Sequence, residues 1–138
     1  MMVPYGNPRY FFIVYTTLLI SAHRFHFDSL AYDNLAQSAE VEEIFEIPNG
    51  RGDRTPSATV LKGLQLVPKF NSTVADKVRI MMAVFRVESK GVDVVVTFNI
   101  PIFSADGGAV GNAGIANSGT DFDTFVRSFR IIDFGLFV

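Results

Sequence analysis

Residues 77–100 read KVRIMMAVFRVESKGVDVVVTFNI, and this stretch decides the fold. From Lys77 to Glu88 the chain begins in clean alternation, with Val78, Ile80, Met82 and Val84 on one face. Lys77, Arg79, Met81, Ala83 and Phe85 take the other face, which passes from wet to dry along its length. A period of two is the mark of a strand. Val92 to Ile100 is apolar nearly throughout, the pattern of a central strand covered on both sides. Only Ser89, Lys90 and Gly91 lie between them, so a hairpin with a short Gly-containing loop and antiparallel pairing is expected.

Upstream, residues 58–67 read as another strand, in which Val60, Leu64 and Leu66 alternate with Leu61, Gly63 and Gln65 before Pro68 closes it. Val41 to Ile47 is a further strand, ended by Pro48 and Asn49-Gly50 and followed by the polar connection NGRGDRTPS. Residues 28–38, DSLAYDNLAQS, suit a short helix capped by Asp28 or Ser29, with Leu30, Ala31 and Leu35 as its apolar stripe. Downstream, Ser104 to Gly119 is Gly, Ala, Asn and Ser without periodicity and reads as a mobile surface loop. A helix then starts at Thr120 as N-cap, with Asp123 in capping-box position and Asp121 at the positive helix end. Phe122, Phe125, Val126 and Phe129 form one continuous face, which must lie on a sheet. Asp123 and Arg127 make an i,i+4 pair, and Arg127 and Arg130 suit the negative end.

The amino terminus admits three readings. Thirteen uncharged residues, Tyr10 to Ala22, are centred on FFIVYTTLLI and are too short to span a bilayer as a helix. They fit a cleaved signal peptide, a buried strand, or residues foreign to the domain, such as a mistaken gene start.

Composition narrows the function. A chain of 138 residues, 49% hydrophobic and 19% charged, is one folded domain rather than a disordered segment. Twelve basic and fourteen acidic side chains are spread evenly over both halves, which argues against nucleic acid as a partner. Without cysteine there is no disulfide scaffold, thiolate zinc site or cysteine nucleophile.

His23 and His26 are the only histidines, and with no further ligand in sight they read as two histidines at a helix entrance, not a metal pair. Gly107, Gly108, Gly111 and Gly114 lack the Lys-Ser or Lys-Thr that closes a phosphate loop. Arg51-Gly52-Asp53 and the sequon at Asn71 carry weight only in a secreted protein. For acid/base work the candidate carboxylates are Asp93, Asp76, Glu88 and the Glu42, Glu43 and Glu46 group, of which the glutamates flank a strand and suit a solvated face. Asp93 stands apart: it enters an apolar strand on the face of Val95, Thr97 and Asn99. That stripe is either the exposed side of a sheet or a recognition surface. No nucleophile, base and orienting group assemble around it, so the expectation is a binding domain, not an enzyme, with no cofactor and no metal.

Four blocks in order resemble the Ran guanine nucleotide release factor family, the Mog-type proteins. They are HFDSLA (26–31), ATVLKGLQLVPKF (58–70), DVVVTFNIP (93–101) preceded by IMMAVFRVE, and SFRIIDFGLF (128–137). The similarity spans residues 23–138. It implies an α+β fold, an antiparallel sheet with helices packed on it as a PsbP-like sandwich. It also implies a monomeric, non-membrane protein of the nucleus and cytoplasm that binds Ran and promotes nucleotide release in nuclear protein import. Asp93 matches a family carboxylate, and Asp93, Thr97 and Asn99 are the expected partner-binding residues. Residues 1–22 stand where the family has an opening hairpin, a helix and an acidic segment, so an incomplete or mis-spliced gene model is expected there. The alternative is a secreted or lumenal, non-catalytic PsbP-like binding module with a cleaved leader.

Overall fold

The computed structural model describes residues 9–16, 22–70 and 72–137. The hairpin read from residues 77–100 is its centre. Strand β4 (Asp76–Val87) pairs antiparallel with β5 (Val92–Phe103), with Val87 opposite Val92. A single 3-10 turn, Glu88–Lys90, joins them, and Gly91 closes it at φ 61°, the left-handed region where a Cβ is disfavoured. β3 (Ala58–Val67) lies along β4, and β2 (Ser38–Ile47) along β3. These four strands form a meander. β1 (Arg9–Thr16) adds on the far side of β5, giving the order β1-β5-β4-β3-β2 with every pair antiparallel. The strand reading of the amino-terminal stretch is thus what the backbone adopts over 9–16; residues 1–8 and 17–21 lie outside the described residues.

Burial on both faces of β5 follows from one helix packing on each side of the sheet. Helix α1 (Ala22–Asp33) brings Ala22, Phe27 and Leu30 onto Leu61, Ile80, Met82, Val84 and Val95. Helix α2 (Asn112–Ser128) brings Phe122 and Val126 onto Val60, Met81, Ala83, Val96 and Phe98. Phe122 meets Phe98 edge-on, ring centres 5.0 Å apart, and Phe129 meets Phe85 at 4.5 Å. An α+β antiparallel sheet with helices packed on it is the observed architecture.

Both helices are displaced from their sequence-read positions. α2 begins at Asn112, not Thr120, so the second half of the stretch read as a mobile loop is helical. Its Asn and Gly residues have poor helix propensity, yet Ile115 and buried Ser118 continue the Phe122 and Val126 stripe toward the amino end, and packing on the sheet overrides propensity. Thr120 caps nothing; its hydroxyl donates back to the Ala116 carbonyl. The Asp123–Arg127 pair does form, at 2.9 Å.

α1 begins six residues before Asp28 and ends at Asp33. It is stopped by Leu35 at φ 55°: the Ala36 N–H reaches the Ala31 carbonyl and the Leu35 N–H the Tyr32 carbonyl, a Schellman ending built without glycine. Leu35 is therefore exposed, not part of an apolar stripe. The helix can lie close to the sheet because Gly63 has no side chain. A Cβ there would stand 2.7 Å from the Phe27 ring and 2.6 Å from the Glu40 carbonyl oxygen.

The outer strand β2 carries Glu40, Glu42, Glu43 and Glu46, all exposed, and a bulge between Val41 and Glu43. Charge and a bulge on an edge strand oppose strand-to-strand association.

Candidate functional site

Asp93 sits one residue into β5, directly opposite Arg86 of β4. Both project toward α1, and there they form a charged cluster beneath the first turns of that helix. Arg86 grips the carboxylate with two hydrogen bonds, Nε to Oδ1 at 2.9 Å and Nη2 to Oδ2 at 3.1 Å. His26 of α1 meets the same carboxylate, Nε2 to Oδ2 at 3.0 Å. Because an ionised carboxylate can only accept, Nε2 is the donor in that bond. Asp93 and His26 are 1% and 2% exposed, whereas the Arg86 side chain keeps 31% of its surface. A buried carboxylate is tolerable only when paired and hydrogen-bonded, and both conditions hold. The carboxylate in turn holds the Arg86 guanidinium pKa above its ordinary value. One turn ahead of His26, burial pushes the His23 pKa down, and the cations of Arg24 and Arg86 push it further the same way.

The expected stripe of Asp93, Thr97 and Asn99 is thus assembled on one face, but that face points inward. Thr97 is 4% exposed and Asn99 8%, on strand positions opposite Met82 and Ile80. The side chain of this cluster that reaches solvent is Arg86, which the sequence reading passed over. The signal for it was present: in a hairpin that pairs Val87 with Val92, the residue before Val87 must face the residue after Val92. His26 was read only as a helix-entrance residue. It does lie in the first turns of α1, and its carboxylate partner is 67 residues away in sequence.

Other motifs resolve into structural roles. Arg51 of the Arg-Gly-Asp tripeptide donates from Nη1 to the Arg127 carbonyl at 2.8 Å and from Nη2 to the Phe129 carbonyl, so it clamps the end of α2. Asp53 accepts from the Thr55 N–H and the Asn49 amide, and these bonds hold its pKa below the usual carboxylate range. Gly107 and Gly108 belong to a turn in which Asp106 accepts from the Gly108 N–H, from Ser104 and from Lys69. The Lys69 ammonium at 2.6 Å is the main reason that the Asp106 pKa lies far below its ordinary range. Lys69 also stands 3.2 Å from buried Asp76. Asn71 of the sequon lies outside the described residues. Among the described residues no cluster of His, Asp and Glu is grouped to hold a metal ion, and no helix is long and apolar enough to cross a membrane.

Comparison with known proteins bears on the whole of this site. A family model described as "Ran-interacting Mog1 protein" matches residues 16–101, the segment that carries α1, the meander and the Arg86–Asp93–His26 cluster. A "Ran guanine nucleotide release factor" from Danio rerio is 32% identical over 124 residues, covering 84% of this chain and 68% of that protein. A "Probable ran guanine nucleotide release factor" from Dictyostelium discoideum is 34% identical over 101 residues, covering 67% of this chain and 51% of that protein.

Proposed function

The chain belongs to the Mog1 family of Ran-interacting proteins, and from that membership we propose that it binds the small GTPase Ran and promotes release of its bound guanine nucleotide. Family membership over the segment that builds the site is the observation that carries this reading. The architecture is compatible with it: a sheet covered on both faces, with charged groups gathered at one end, suits a protein that works by binding. In this proposal the chain acts in nuclear protein import and is found in nucleus and cytoplasm. The buried Asp93, Thr97 and Asn99 serve the partner surface from within, with Asp93 fixing the group that emerges, Arg86.

The test is direct. Ran loaded with a fluorescent guanine nucleotide is mixed with the chain, and nucleotide loss is followed against time, with complex formation measured separately by calorimetry. A saturable acceleration of release that parallels complex formation is expected. Complex formation without acceleration removes the release activity, and no complex at all removes the Ran reading.

A further inference from the structure

Two hollows adjoin the Arg86 guanidinium on the α1 side of the sheet. The larger, about 430 Å³, runs past Ser57, Thr59 and Arg86 to Glu88 and Phe134. The smaller, about 200 Å³, runs from the same three residues to His23 at the start of α1. Ser57, Thr59 and Arg86 therefore form the ground common to both, and all three are hydrogen-bond donors.

Arg86 has five N–H groups, of which Asp93 engages one on Nε and one on Nη2. The rest are aimed away from the buried acid. Ser57 Oγ accepts the Asn49 N–H at 3.0 Å, so its own proton is left to donate. Thr59 lies on the strand opposite Val84, on the same face as Arg86. Such convergent donors fit an oxyanion, and the planar fork of arginine fits a carboxylate in two-point contact. The rim is of mixed charge. Exposed Glu46, Glu88 and Arg54 all line the larger hollow, and the two carboxylates repel a free doubly charged phosphate more than a singly charged side chain. A rim of this kind favours a carboxylate whose flanking side chains carry both signs of charge.

We propose that the paired hollow is the seat of an aspartate or glutamate side chain of a protein partner, carried on a segment of mixed charge and received by Arg86, Ser57 and Thr59. Asp93 and His26 are positioning residues: they hold the guanidinium at one angle so that it meets the partner already oriented. For the identity of the partner this rests on the Ran-binding reading; for the chemistry of the seat it does not.

The experiment uses the full ¹⁵N-labelled chain with two probes, Ran and acetate. Added Ran is expected to shift or broaden the amide signals of Thr59, Arg86 and Ser89 while leaving Asp121 and Thr124 on the outer face of α2 unmoved. Arg86→Lys, which keeps the charge and loses the fork, should weaken Ran binding about tenfold. Thr59→Val does not touch Asp93, so it should keep the wild-type melting temperature and still bind Ran several-fold more weakly. Ran binding with unmoved hollow signals and an unaffected Thr59→Val overturns the seat and leaves the Ran reading standing. Where Ran does not bind, acetate decides: shifts at Thr59 and Arg86 in wild type, lost in Arg86→Lys and smaller with inorganic phosphate, support a carboxylate seat for another partner. No response to acetate, or a stronger one to phosphate, overturns it.

Discussion

Replacing Asp93 separates a buried keystone from a surface contact. The carboxylate takes two hydrogen bonds from Arg86 and one from His26 while 1% exposed. In Asp93→Ala the His26 Nε2–H loses this acceptor inside the sheet–helix interface, and Arg86 loses its counter-charge. Breaking a buried pair in this way costs about 3–5 kcal/mol. Asp93→Asn keeps the volume and one carbonyl oxygen. Some of the bonds to Arg86 and His26 then survive without the charge, and a loss of about 1.5–3 kcal/mol is expected. For a domain of this size each kcal/mol lowers the melting temperature by roughly 3–5 °C. The order in urea and thermal unfolding should be wild type, then Asp93→Asn, then Asp93→Ala, with the last close to the limit of a marginally stable domain. An exposed contact residue would behave otherwise, with both variants within about 0.5 kcal/mol of wild type. That outcome, or Asp93→Asn less stable than Asp93→Ala, would refute the assignment.

Gly63→Ala places a methyl against the Phe27 ring and the Glu40 carbonyl, so it should destabilise by about 1–3 kcal/mol or more and shift the Phe27 ring resonances. Leu35→Gly relieves the left-handed φ at the Schellman position and should raise stability by up to about 1 kcal/mol in urea unfolding; a loss would show that Leu35 packs against something. Phe122→Ala, at 2% exposure against Phe98, should cost about 3–5 kcal/mol, while Arg127→Ala on the wet face should cost under about 1; the reverse order would mean the faces of α2 are misassigned. The Asp106 pKa is lowered on folding, so its contribution is fully present above the ordinary aspartate range near about pH 4 and fades as pH falls below it. The stability gap between wild type and Asp106→Asn should accordingly narrow in acid, and a gap that widens there contradicts the Lys69 pairing.

The central hairpin was legible because residues 77–100 state their faces twice, once by alternation and once by the short loop that fixes the register. The helix boundaries were not, because each is settled by a partner distant in sequence. α2 extends back to Asn112 since Ile115 and Ser118 find the sheet, a gain that no local propensity of NAGIANSG announces. α1 lies where it does because Gly63, some thirty-six residues on, makes room for Phe27. Asp93 could be singled out as a charge in an apolar strand, but a polar stripe on a strand reads the same whether it faces solvent or a helix. Its direction is decided by α1, and with it the transfer of the exposed role from Asp93 to Arg86.

The clamp of Arg51 on the last turn of α2 has a consequence for proteases. The exposed stretch Arg51-Gly52-Asp53-Arg54 has the composition of an easy trypsin nick. Trypsin, however, must draw an arginine side chain into its acidic specificity pocket. Arg51 is occupied with the carbonyls of Arg127 and Phe129, and Arg54 lies 4.7 Å over the Phe134 ring. Both scissile arginines are thus latched to the carboxyl-terminal segment. Cleavage in this loop should keep time with the undocking of that segment, which makes digestion rate a label-free clock for how often the end of α2 lets go.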